Sequence, residues 1–222
     1  MTPQALAREI DAALAALADP SVAPVRAVRQ RYSKRLRGAP AREIVTAAFA
    51  LRARGGLIRH FVACELVQHH PPAFASLRHR DLEAFGRGLD SWGAVDSFAC
   101  YLSGPAWREG QVSDGLIHAW ARSGDRWKRR AALVSTVPLN TKARGGRGDA
   151  RRTLRVCSML AKDRDDMVVK ALSWALRELA KRDPASVRAF LQREGDRLAP
   201  RVLREVRNKL TTGLKNPKSR AR

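Results

Sequence analysis

In the stretch APAREIVTAAFALRARGGLIRHFVACELVQHHPP, Ala39–Pro72, apolar residues recur three and four positions apart. Ile44, Ala48 and Leu51 fall on one side of a helix that ends at Gly55-Gly56. A second periodic run follows at once and is stopped by Pro71-Pro72. A helix, a two-glycine break and a return helix make an antiparallel pair. Neither helix is apolar all round, so each buries one face against a neighbour.

Working outward, the same pattern repeats. TPQALAREIDAALAALADP carries Leu6, Ile10, Leu14 and Leu17 at helical spacing, with Thr2 as a cap and Pro3 in the first turn. The periodicity predicts helices over 3–18 with 23–36, 40–53 with 57–70, 79–89 with 92–103, 106–121 with 124–137, 148–161 with 165–182, and 184–195 with 199–213. Pair starts recur about 27 to 42 residues apart, near the spacing of HEAT and armadillo repeats. No run alternates cleanly with period two, and no Asn-Gly or Asp-Gly hairpin signal occurs. The expected fold is all-α: a superhelical stack of HEAT-like antiparallel helix pairs, an α-solenoid with a concave basic groove. A compact helical bundle is the alternative. Residues 1–213 are expected to form a single domain and 214–222, LKNPKSRAR, a basic flexible tail. NTKARGGRGDARR, Asn140–Arg152, reads as a flexible linker.

The 222 residues carry a formal net charge of +22, which destabilises a compact state unless a polyanion neutralises it. Nucleic acid is the partner this implies; a membrane surface is the rival, and no apolar stretch is long enough to span a bilayer. MTPQALAREI lacks the features of a secretory signal, so a cytoplasmic, nucleoid-associated protein is expected. Cys64, Cys100 and Cys157 lie far apart among apolar neighbours and read as buried thiols. No metal spacing, dinucleotide fingerprint or phosphate loop is evident, so neither metal nor cofactor is expected, and the chain is read as a monomer. His69-His70 sit side by side on a helix end and do not face one way.

The positive charge is clustered. Arg26 to Arg59 holds ten basic residues against Glu43 alone, and Arg122 to Arg152 holds ten against Asp125 and Asp149. From Arg188 to the end there are eleven against three acids. Arginine outnumbers lysine, which favours bidentate phosphate contacts. In DDMVVKALSWALRELAKR, Val168, Leu172, Ala175 and Leu179 form an apolar stripe, and Lys170, Trp174, Arg177 and Lys181 form a second. That second stripe frames one indole with three cations and points to an exposed Trp174 touching a sugar or base. In GDRWKRRAAL, Trp127 and Arg130 face one way and Lys128 and Arg129 turn elsewhere. The cations expected to hold nucleic-acid phosphates are Lys170, Arg177, Lys181, Arg129, Lys128 and Arg35. Trp107 and Trp120 are expected in the core.

One stretch departs from this pattern. LDSWGAVDSFA, Leu89–Ala99, sets Trp92 and Asp96 four apart on one helix face, and no lysine or arginine lies between Gly88 and Trp107.

With these residues, the chain resembles the AlkD-type DNA alkylation repair enzymes, HEAT-like-repeat glycosylases for alkylated purines. SWGAVDS is similar to the family's Trp-x-x-x-Asp segment, WKRRAAL to its Trp-x-x-Arg-Ala-Ala segment, and VKALSWALRELAKRDP to its Lys-Ala-x-x-Trp-x-Leu-Arg-Glu helix. The resemblance implies excision of positively charged N3- or N7-alkylated purines from duplex DNA. It implies Trp92 and Trp174 beside the lesion, Asp96 as the catalytic carboxylate, and Arg130 as a backbone or active-site contact. Gly93 departs from the family, which often has a polar or acidic residue there, and glycine loosens a first helical turn. Tyr32 is the one N-terminal candidate for a further aromatic that some relatives carry. A solenoid offers a groove and no deep pocket, so bulky adducts are expected to be tolerated and uracil or hypoxanthine to be poor substrates. Two other readings stand beside the enzyme: a non-catalytic helical-repeat protein that binds DNA or RNA backbones, and a protein-binding scaffold.

Overall fold

The computed structural model describes residues 2–217, and every regular element among them is helical. The chain divides after Val112 into two compact units.

The first unit contains α1 (Pro3–Ala15), α2 (Val22–Arg35), α3 (Ala41–Arg52), α4 (Leu57–Gln68), α5 (Pro71–Ser76), α6 (His79–Gly86), α7 (Trp92–Phe98) and α8 (Gly104–Arg108). The Thr2 hydroxyl accepts the Ala5 N–H at 3.2 Å and Pro3 opens the first turn, so α1 starts where the sequence placed it. Leu6, Ile10 and Leu14 are buried, as are Ile44, Ala48 and Leu51 on α3, against which α1 packs. Leu17, expected on the same stripe, lies beyond the end of α1 and is half-buried. α2 packs on α4 and α4 on α7, so first and second helices of successive pairs form separate layers. Asp11 ties α1 to the α3–α4 turn. Burial pushes its carboxyl up, but the hydrogen bonds and charges of Arg54 and Arg59 outweigh that and hold it below its ordinary value.

Two expectations are corrected here. Pro71-Pro72 ends α4 and also opens the short α5, because proline is tolerated where a helix has no intrahelical N–H bond to make. No helix spans 106–121. The helix that begins at Trp92 runs instead to Arg108, through a widened π-helical turn, Ala99–Ser103, and the chain turns before α9 begins at Asp114. Pro105 lacks the N–H that would bond the Tyr101 carbonyl and its ring crowds that carbonyl; the wider turn directly ahead of it absorbs the conflict.

The second unit contains α9 (Asp114–Ala121), α10 (Arg126–Ser135), α11 (Val137–Asn140), α12 (Ala150–Met159), α13 (Asp166–Leu179), α14 (Pro184–Glu194) and α15 (Pro200–Thr212). Four of its helices begin at an aspartate whose carboxylate accepts a first-turn N–H: Asp125 from Trp127, Asp149 from Arg152, Asp165 from Met167 and Asp183 from Ser186. α9, α12 and α14 pack in one row and α10, α13 and α15 in another. Val168, Leu172, Ala175 and Leu179, the predicted stripe of α13, are fully buried between them. Helix pairs stacked side by side in two rows are the helical-repeat arrangement of an α-solenoid.

Asn140–Arg152 is not a flexible linker. Asn140 is buried; its amide donates to the Thr136 carbonyl at 3.0 Å and to the Thr153 hydroxyl at 2.9 Å, and its oxygen accepts the Asp149 N–H at 3.0 Å. Arg182 clamps the Asn140 and Gly146 carbonyls, each at 2.9 Å. A Cβ on Gly146 would lie 2.5 Å from the Pro138 carbonyl oxygen, so the loop closes only with glycine there. Of the expected tail, Lys215 lies 3.5 Å from Glu205, and residues 218–222 lie outside the described residues. Trp107, Trp120 and all three cysteines are buried, and burial pushes the Cys64 and Cys157 thiols far up, which keeps them unreactive.

Candidate active site

In the first unit, Ser91 caps α7 by accepting the Ala94 N–H. Trp92 stands at the first helical position and is 62% exposed, while Asp96, one turn on, is half-buried. A large apolar side chain left that open contributes little to a core. Gly93 has a role the sequence did not disclose. A Cβ there would meet the Leu57 side chain at 3.1 Å, so its absence lets the half-exposed Leu57, at the start of α4, lie against α7.

α7 is anchored from below by His60, which sequence reasoning missed. Its Nε2 donates to the Ala94 carbonyl at 3.0 Å across the α4–α7 contact. Burial pushes the imidazole down to about 4, and Arg52 adds to this against the opposing hydrogen bond. The unfolded ring titrates near 6.5, so the unfolded chain binds the extra proton between these values. The stability from the neutral ring is complete above about pH 6.5 and is lost as pH falls toward 4, up to about 3 kcal/mol. His60→Gln keeps a donor for the carbonyl and cannot ionise. The fall in urea midpoint from pH 7 to pH 4.5 is expected to be smaller in that variant than in the wild type.

Tyr32, the possible N-terminal aromatic, is buried and donates its hydroxyl to Glu9 at 3.2 Å. It braces α1 against α2 and presents no ring surface for stacking.

In the second unit, α10 and α13 pack together; α10 carries Lys128, Arg129 and Arg130, α13 carries Lys170, Trp174 and Arg177, and Lys181 follows in the turn after α13. Arg130 is buried and donates to the Met167 carbonyl at 2.6 Å, joining α10 to the first turn of α13. Trp174 is half-buried, less open than its cationic frame suggested, and so is Trp127, which has the Arg126 guanidinium 5.3 Å from its ring centre.

Most cations expected to hold phosphate already have acidic partners. Arg129 meets Asp163 at 2.7 Å and donates to the Ser123 and Gly124 carbonyls. Arg177 donates to Ser173 at 3.2 Å and lies 3.9 Å from Glu205. Both are built into the fold. Lys170 pairs with Asp166 at 2.6 Å, Lys181 with Glu178 at 2.6 Å and Arg35 with Glu9 at 2.5 Å. The hydrogen bond from Lys170, helped by Arg201, holds the Asp166 carboxyl below its ordinary value. These three cations are exposed, and such pairs contribute about 0–1 kcal/mol, so exchange of the acid for a phosphate costs little. Lys128 is half-buried. Among the described residues, Lys34, Arg37, Arg122, Arg147 and Arg155 have no acidic partner, and the sequence singled out none of them. Helical spacing shows which cations share a face; it does not show which are neutralised by an acid from another helix. Among the described residues no cluster of histidine, cysteine and carboxylate side chains could hold a metal ion, and no helix is long and apolar enough to cross a membrane.

A family model described as DNA alkylation repair enzyme matches residues 13–210, which takes in both helix rows of each unit and all the predicted site residues. The chain belongs to the DNA alkylation repair enzyme family. Among curated proteins and solved structures, none matches it significantly. In a DNA alkylation repair enzyme, DNA is the partner that the excess of positive charge is there to meet.

Proposed function

We propose that this DNA alkylation repair enzyme is a glycosylase that excises N3- or N7-alkylated purines from duplex DNA, the first step of base excision repair. The observation that carries the reading is α7 itself. An exposed indole, Trp92, stands one turn ahead of the half-buried carboxylate Asp96, inside a stretch free of lysine and arginine in a chain of charge +22.

The chemistry accounts for the residue types. Alkylation at N3 or N7 gives the base a positive charge, so it leaves with the glycosidic electron pair as a neutral purine and needs no general acid. This sets the reaction apart from ordinary glycoside hydrolysis, where one carboxylic acid protonates the leaving group. The sugar is left as an oxocarbenium ion. Asp96 stabilises that cation and orients the water that adds to C1′, whose proton passes to the carboxylate or to solvent. A lysine or arginine next to Asp96 along α7 would weaken this effect, which is one reason for a stretch of sequence without them. The Trp92 face excludes water, lowers the effective dielectric and attracts the cationic sugar by about 0.5–2 kcal/mol. The resemblance to the AlkD-type enzymes further implies Trp174 beside the lesion and Arg130 as a backbone or active-site contact. Lys170, Lys181, Arg35 and Lys128 engage phosphates.

The test is release of N7-methylguanine from a duplex by the purified protein under single-turnover conditions. Release with an apurinic product is the expected result; binding without release would leave only a polyanion-binding protein.

A further inference from the structure

Between the C-terminal ends of α2 and α4 the first unit has a cavity of about 490 Å³ that the glycosylase reading does not use. Its wall is cationic: Arg29, Lys34 and Arg37 line it, and no carboxylate does. Lys34 and Arg37 are exposed and have no acidic partner among the described residues. Arg29 is buried and bonds Glu65 through Nε at 3.1 Å.

Two neutral groups in the lining stand out. His70 is 4% exposed, and its Nδ1 accepts the Ala73 N–H at 3.1 Å, so the ring hydrogen is on Nε2. That Nε2 has no hydrogen-bond partner, and neither has the buried hydroxyl oxygen of Ser33. An unmet buried polar group costs about 1–3 kcal/mol, so two of them on one cationic cavity call for a ligand that accepts hydrogen bonds and carries negative charge.

We propose that this cavity is a phosphate-binding site, with Ser33 and His70 donating to the oxyanion and Lys34 and Arg37 supplying its charge. In the DNA alkylation repair enzyme its source is a backbone phosphodiester of the bound duplex, and only this assignment of source rests on the DNA-binding reading. The site grips a strand through its phosphate without reading sequence.

Three variants test it: Ser33→Ala, His70→Asn, which retains a capping oxygen for Ala73, and the double variant Lys34→Gln/Arg37→Gln. In the first arm, inorganic phosphate is titrated into protein labelled with ¹⁵N in its histidines. A saturable shift of the His70 Nε2 resonance is expected in the wild type, absent in His70→Asn and at least about tenfold weaker in the double variant. In the second arm, affinity for an undamaged duplex is measured against salt. Ser33→Ala is expected to bind about three- to tenfold more weakly with an unchanged salt slope, because a hydrogen bond and no charge is lost. The double variant is expected to lose about one phosphate equivalent of slope. Its Tm and that of Ser33→Ala should not fall, since neither removes an ion pair or a made hydrogen bond. No histidine shift in the wild type overturns the site. A shift with duplex binding unchanged in all three variants overturns the DNA assignment. Base release is not read in either arm, so failure here is separate from failure of the glycosylase reading.

Discussion

Asp96→Asn is expected to bind an N7-methylguanine duplex at least as tightly as the wild type and to release the base about 100- to 1,000-fold more slowly. The carboxamide has the shape of the carboxylate and preserves the half-buried packing of α7. What it removes is the full negative charge that, in the proposed mechanism, meets the forming sugar cation. Binding does not suffer, because an anion among phosphates repels them, and taking it away relieves that repulsion. A variant that bound the duplex more weakly but released the base at the wild-type rate once saturated would show that Asp96 only helps to hold substrate, since loss of binding alone is the mark of ground-state contacts. Single-turnover rates alongside equilibrium binding separate the two.

The second large effect concerns stability. Glu65, on α4, is 1% exposed and accepts from Arg26 at 2.9 Å and from Arg29 at 3.1 Å. Arg26 also donates to the Tyr101 hydroxyl at 2.7 Å and stands over the Phe61 ring. One buried carboxylate thus joins α2, α4 and the π-helical turn that follows α7. Glu65→Ala leaves two facing guanidiniums without their anion, one of them buried, and is expected to cost about 3–5 kcal/mol. The urea midpoint should fall with the slope of the transition unchanged. Glu65→Gln, which still accepts one hydrogen bond, should lose less. A change under about 1 kcal/mol in Glu65→Ala would show that the two arginines find other partners at no cost.

The fold was legible where one local rule acted alone. The 3.6-residue period of Leu6, Ile10 and Leu14, or of Val168, Leu172, Ala175 and Leu179, marks a buried stripe because only such spacing gathers apolar groups on one side of a helix. It failed where rules compete. At Pro105 the helical pattern argues for continuity and the ring against it; the chain satisfies both with a π-helical turn, a compromise that periodicity does not encode. RGGRG looks flexible by composition, yet Asn140 and Arg182 hold the segment by bonds to residues up to 42 positions apart.

The site divides in the same way. Trp92 and Asp96 were legible as a pair because both lie on one short helix, and the family match agrees with the DNA repair role they suggested. His60 was not, since its bond to Ala94 spans 34 positions. Nor was the pairing of Arg129 with Asp163, which ties the turn after α12 to α10 and takes that guanidinium out of the free positive surface.

The most direct measurement sets two lesions at one position of the same duplex, N7-methylguanine and hypoxanthine, and compares their single-turnover release. If the Asp96 carboxylate steadies the sugar while a charged base departs without a general acid, the methylated base is released and hypoxanthine leaves no faster than without protein. Comparable release of both would mean that a neutral base is being protonated as it leaves, and would contradict the role given to Asp96.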